Sequence, residues 1–197
     1  FEGVKPSIQT IVIVKAEDDT MMDAFKTGEI NFLSQLSEGD KINAALDMVD
    51  TGDYSYCHYT RNGYGKLMFQ CDFGPTQFAA VRQAIAYLLD REEFCTTFTG
   101  GYGSVVNGPY STAQWMYQES EEVFNEKLNN YAYDPAKAVE VLEADGWTLN
   151  ADGTEYSGTG VRYKEVTAEE AGDFALNVTL DDGRILMPLH IMWASSE

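Results

Sequence analysis

The run FAAVRQAIAYLLDREEFCTTFTGGYG, residues 78–103, constrains this chain more than any other stretch. Val81, Ile85, Leu88 and Leu89 recur at helical spacing and form one apolar stripe, with Arg82 and Gln83 turned away from it. Asp90 stands where a helix N-cap is wanted, and Glu93 completes a capping box for a second short helix carrying Phe94 and Phe98. Gly100, Gly101 and Gly103 stop that helix, because glycine accepts the left-handed backbone of a helix end. Two consecutive helices with one buried stripe need a surface to pack on, and the rest of the chain must supply it.

Ile8–Lys15 is β-branched through its middle and apolar on both alternating faces, the pattern of a central strand covered on both sides. After Asp18-Asp19-Thr20 a short helix carries Met21, Met22 and Phe25 until Gly28, and Ile30–Leu33 returns to strand, completing a β-α-β unit. Glu38–Val49 reads as a helix with Ile42, Leu46 and Val49 on one side, closed by Thr51-Gly52-Asp53. Tyr54–Tyr59 and Lys66–Phe73 read as two strands separated by a turn that includes Asn62-Gly63-Tyr64-Gly65. Val105–Tyr117 is an irregular, aromatic-rich loop, and a further helix starts at Ser120. Asp134 as cap, Pro135 at the first helical position, Ala138, Val141 and Leu142 on a buried face and Gly146 past the end define another helix. A small hairpin turns at Asn150-Ala151-Asp152-Gly153, and a last strand pair joins Ala175–Leu180 to Arg184–Trp193 through Asp181-Asp182-Gly183.

Strand-like runs alternating with capped helices predict an α/β fold with a mixed sheet, and a chain of 197 residues suits one sizeable lobe. Thirty-two acidic against thirteen basic residues leave a net charge of −19, which excludes an electrostatic grip on nucleic acid and disfavours an anionic membrane. No apolar run is long enough to span a bilayer as a helix. The chain starts at Phe1 and stops directly after an apolar run, so it is read as a piece of a longer protein. Cys57, Cys71 and Cys95 form no C-x-x-C pair and no metal spacing with histidine. Unpaired small hydrophobes are expected, a Cys57–Cys71 bridge across the Asn62–Gly65 turn being the alternative.

Two segments carry a family resemblance. VRQAIAYLLDREEF followed by GGYG resembles the V-R-Q-A-hydrophobic-A-Y-A-hydrophobic-D-R-E segment of the family 5 extracellular solute-binding proteins, and YAYDPAKAVEVLEADGW resembles their Y-x-Y-D-P-x-K-A-x-x-L-L-x-x-A-G-W signature. Thr27-Gly28-Glu29-Ile30-Asn31 is similar to a third family segment, with Asn31 in place of an acid, and Gln70 stands where the family usually has Asn. The resemblance runs from about Lys5 to Trp193. It implies a mixed-sheet lobe of a periplasmic-binding-protein-like (type II) fold. Residues 1–197 would then be most of the second lobe of a two-lobed receptor, with the first lobe and a C-terminal remainder elsewhere. It also implies an extracytoplasmic setting, as a periplasmic protein or cell-surface lipoprotein. The expected function is capture of a dipeptide or oligopeptide by a monomer and its delivery to ABC importer permease subunits, the family's nickel, haem and oligosaccharide receptors being the alternatives.

The chain shows no chemistry of its own that competes with this. It lacks a G-x-S-x-G nucleophile elbow, and His58 and His190 sit in strand-like runs. Gly100-Gly101-Tyr102-Gly103 follows a helix instead of preceding one, so it presents no helix N-terminus to a phosphate. Asp145–Glu155 lacks the EF-hand order of ligands. No catalytic residue, cofactor or metal ligand is expected; a carbohydrate-active enzyme using the abundant acids and aromatics, or a non-transport interaction module, are the other classes. Asn62, Tyr64, Gly65, Tyr110 and Trp193 are the candidate ligand-binding residues, because they sit in turns or at a strand end, where open α/β sheets hold ligands.

Overall fold

The structure, a computed structural model, describes residues 3, 5, 7–17 and 19–194. Asp18 of the expected turn, Phe1 and the Ser195–Glu197 end lie outside the described residues. Contacts divide the chain into two compact units, Phe1–His58 with Phe98–Tyr102, and Tyr59–Thr97 with Gly103–Glu197.

The second unit holds the main core. Helix α3 (Ala79–Leu88) packs on α6 (Pro135–Ala144), and the buried positions are Ala80, Val81 and Ala84 on α3 and Ala138 and Leu142 on α6. Small residues let the helix axes come close, so the stripe read from the sequence is shifted: Val81 and Ile85 face inward, while Leu88 and Leu89 are exposed. Asp134 caps α6 as its chemistry requires, its carboxylate accepting from Lys137 N–H at 2.9 Å, and Gly146 ends the segment with φ +90°. Asp90 caps α4 (Arg91–Thr99) in the same way, accepting from Glu93 N–H at 2.9 Å.

Behind this helix pair lies a three-stranded antiparallel sheet in the order β1 (Tyr163–Val166), β3 (Ile185–Pro188), β2 (Val178–Thr179). Its register pairs Tyr163 with Pro188 and Val166 with Ile185. The four-residue α7 (Ala168–Ala171) connects β1 towards β2 and starts with a complete capping box between Thr167 and Glu170. Trp147 and Met187 are fully buried where helices and sheet meet, Leu186 is fully buried next to Met187 on β3, and Phe78 meets the Trp147 ring edge-on at 5.7 Å. Each aliphatic side chain so buried contributes about 1.5–3 kcal/mol of transfer free energy. The hairpin at Asn150–Gly153 forms as expected, with Leu149 opposite Glu155 and Asn150 N–H bonded to Thr154 O at 2.8 Å.

The first unit contains α1 (Met21–Lys26) and α2 (Gly39–Val49). Gly39 crosses Gly100 so closely that a Cβ on Gly39 would lie 2.5 Å from the Gly100 Cα.

Several strand expectations are corrected. Ile8–Lys15, Ile30–Leu33, Tyr54–Tyr59 and Lys66–Phe73 run without strand pairing among the described residues. The expected central strand is instead exposed, Ile13 reaching 91%. A strand exists only through the neighbour that takes up its N–H and C=O groups, and no described segment pairs with these runs in a sheet. The sheet that forms is antiparallel throughout, in place of the mixed sheet expected. The last strand stops at Pro188, short of Trp193, and the helix expected from Ser120 begins earlier, as α5 (Trp115–Lys127).

Candidate functional site

Four of the five candidate residues come together through two loops of the second unit. Loop 61–65 is held to loop 107–111 by two long-range hydrogen bonds: Ser111 Oγ–H donates to Arg61 O at 3.0 Å, and Tyr64 Oη–H donates to Pro109 O at 3.0 Å. The second loop is itself fixed on helices. Asn107 Oδ1 accepts from the Arg91 guanidinium at 2.9 Å at the start of α4, and the Tyr110 ring packs on Phe124 of α5 with centroids 6.2 Å apart. Phe124 in turn packs against the buried Tyr117. Ser111 is 2% exposed, so its hydroxyl has exchanged water for the Arg61 carbonyl.

The result is a surface carrying the Asn62 amide, the Tyr64 and Tyr110 rings, each about two-fifths exposed, and the open backbone at Gly65, where an added Cβ would meet nothing within 4 Å. Trp193 is 73% exposed on the extended segment after β3, and no hydrogen bond or ring contact ties it to the two loops among the described residues.

Sequence reasoning does not single out Ser111 or Arg61. A signal for both is present: no carboxylate occurs between Asp53 and Asp72, nor between Glu93 and Glu119, in a chain with 32 acids. The loops brought together are the acid-free stretches, and Arg61 adds a cation whose side chain folds over Gly63, 3.2 Å from a Cβ built there.

Two concavities lie elsewhere. One of about 270 Å³ is lined by Val161, Tyr163, Leu176, Pro188 and His190. The other, of about 320 Å³, lies in the first unit around Phe25, Lys26, Asn31, Asp53 and Tyr54. His58 stacks on Tyr56 at 6.2 Å, and neither histidine has a carboxylate or hydroxyl partner of the kind acyl transfer needs among the described residues. No group of three or more His, Cys, Asp or Glu side chains able to hold a metal occurs among the described residues, and all three cysteines are free thiols. No helix among the described residues is long and apolar enough to cross a membrane.

The two joined loops rest on α4 through Arg91–Asn107 and on α5 through Tyr110–Phe124, and they carry four of the five candidate residues. Residues 1–177 match the family model described as bacterial extracellular solute-binding proteins, family 5, middle, and the chain belongs to this family. It is also similar to the nickel-binding periplasmic protein of Escherichia coli (strain K12), with 27% identity over 156 residues, 77% of this chain and 28% of that protein. The chain thus spans little more than a quarter of the length of that relative. No solved structure matches it.

Proposed function

We propose that this chain is most of one lobe of a two-lobed, type II periplasmic-binding-protein-like receptor that captures peptides outside the cell and hands them to the permease subunits of an ABC importer. Family membership supports the receptor class and the extracytoplasmic setting, whether periplasmic or lipid-anchored. The observation that carries the ligand reading is the loop pair itself: aromatic faces, a side-chain amide and open backbone at Gly65 suit the uncharged backbone and side chains of a peptide. In this reading Asn62, Tyr64, Gly65 and Tyr110 form one wall of the cleft, and Trp193 reaches it when the other lobe closes. The receptor works as a monomer and catalyses no reaction. The unpaired run Ile8–Lys15 supports placing the chain within a larger polypeptide whose other segments complete the sheet.

A nickel ligand is the second reading, favoured by the name of the Escherichia coli relative. It needs three or more hard or borderline donors, which the described residues do not gather, so the metal would need donors from outside them. The test is calorimetry on the full-length protein with tripeptides, nickel and an oligosaccharide as titrants. Peptide binding weakened tenfold or more by Tyr64→Ala and Tyr110→Ala supports the proposal; peptide binding untouched by both changes places the site elsewhere, and nickel binding without peptide binding replaces the reading.

A further inference from the structure

Asparagine followed by glycine occurs twice in the chain, at Asn62-Gly63 and Asn107-Gly108, and each pair lies in one of the two joined loops. In such a pair the glycine backbone nitrogen can reach the asparagine side-chain carbonyl carbon, because no Cβ hinders the backbone rotation that brings the two together. The structure treats the two pairs differently. The Asn107 side chain is held, its Oδ1 accepting from the Arg91 guanidinium at 2.9 Å. Gly108 is packed as well, a Cβ built on it lying 3.2 Å from Leu128 Cδ1. Asn62 and Gly63 are both exposed, and neither the Asn62 amide nor the Gly63 N–H makes a hydrogen bond among the described residues. The Arg61 guanidinium lies over Gly63, with Nε 3.2 Å from a Cβ built there. A positive charge so placed favours loss of the Gly63 amide proton, the step that makes this nitrogen a nucleophile.

We propose that Asn62 is a site of spontaneous deamidation, a covalent modification that alters the turn it sits in, while Asn107 is protected from the same reaction by its place in the fold. The Gly63 nitrogen gives its proton to solvent and attacks Asn62 Cγ. The Cγ–Nδ2 bond breaks, ammonia leaves with a proton from solvent, and a succinimide ring closes between the two residues. Water then adds to one of the ring carbonyls and opens it to aspartate or to isoaspartate, so the net change is loss of ammonia and gain of water. Both products put a carboxylate beside Arg61, in the acid-free stretch between Asp53 and Asp72. Isoaspartate also routes the main chain through the former side chain, lengthening it between Arg61 and Tyr64, the two residues bonded to loop 107–111.

The test incubates the full-length protein in mildly alkaline buffer, once folded and once in urea, and is independent of what the receptor binds. Peptide mapping by mass spectrometry follows conversion at each site, and enzymatic methylation of isoaspartate reports the succinimide route. In the folded protein Asn62 is expected to convert about tenfold faster than Asn107 or more, a barrier difference of about 1.4 kcal/mol. In urea, where neither side chain is held, the two rates should agree within about threefold. Gly63→Ala, whose methyl has only the flexible Arg61 side chain to displace, should slow Asn62 about tenfold, since a Cβ hinders ring closure. Equal rates at the two sites in the folded protein overturn the proposal, as does a gap that persists undiminished in urea. Conversion of Asn62 to aspartate alone, at a rate that Gly63→Ala leaves unchanged, overturns it as well.

Discussion

Ser111 Oγ lies 3.0 Å from the carbonyl oxygen of Arg61, a residue 50 positions earlier, and the hydroxyl is almost wholly removed from water. This bond and its neighbour from Tyr64 to Pro109 are what turn two separate loops into one surface. Removing the buried donor leaves a cavity and an unanswered carbonyl, so Ser111→Ala should lower unfolding free energy by about 1–2 kcal/mol. Tyr64→Phe, whose lost hydroxyl is more exposed, should cost about 0.5–1 kcal/mol. Urea denaturation at constant m-value measures both; an Ser111→Ala cost no larger than that of Tyr64→Phe would remove Ser111 as the latch.

Trp147 has no exposed surface, meets Phe78 edge-on and donates its indole N–H to Asp145 at 3.1 Å. Asp145 is also the partner of Lys164, whose ammonium sits 4.3 Å from the Phe78 ring centroid. Trp147→Ala is expected to cost about 3–5 kcal/mol by cavity formation. Trp147→Phe should cost less, since it keeps an aromatic body and loses the hydrogen bond. Equal midpoints for the two variants in a denaturant titration would contradict this account of the core.

The Gly39–Gly100 crossing gives a sharper test, because the obstacle is backbone. A methyl group on Gly39 would lie 2.5 Å from the Gly100 Cα, and a main chain yields less readily than a side-chain tip. Gly39→Ala should destabilise by about 1–3 kcal/mol. Gly65→Ala, where the new methyl meets nothing within 4 Å, should stay within about 0.5 kcal/mol of the parent. Thermal melts of the two variants side by side decide it; a neutral Gly39→Ala would mean the crossing relaxes freely.

Two hairpin carboxylates set an expectation for acid. The Thr154 hydroxyl and then the Thr154 backbone N–H hold Asp152 below the ordinary aspartate range, and the Arg184 backbone N–H and then its side chain do the same for Asp182. A carboxylate whose folded pKa is lowered stabilises the fold above its unfolded pKa, and that contribution is lost as pH falls through the lowered value. Stability should therefore be insensitive to these groups near neutrality and decline below about pH 4. The effect is small because both side chains face solvent. Asp152→Asn with Asp182→Asn should flatten this acid limb when unfolding midpoints are followed from pH 6 to pH 2.5; an unchanged slope would show that other carboxylates govern it.

Helices were legible where their ends are chemically marked. Asp90 and Asp134 each cap a helix through the bond their position demands, and both signals are local. Strand expectations fared differently because pairing is non-local. Ile8–Lys15 declares an appetite for burial on two faces but not the neighbour that satisfies it, whereas Tyr163–Val166 forms a strand despite carrying Lys164 and Glu165, because β3 lies beside it. The candidate wall was half legible. Turn chemistry points to Asn62, Tyr64 and Gly65, but nothing local in the sequence reveals that Ser111 closes on Arg61.

The central claim, that this family 5 chain belongs to a peptide receptor, is tested most directly by what the full-length protein carries when purified gently from its source. Native mass spectrometry followed by release and fragmentation of bound small molecules is predicted to show peptides, lost on Tyr64→Ala substitution. Recovery of a stoichiometric nickel species or an oligosaccharide, retained by that variant, would contradict it.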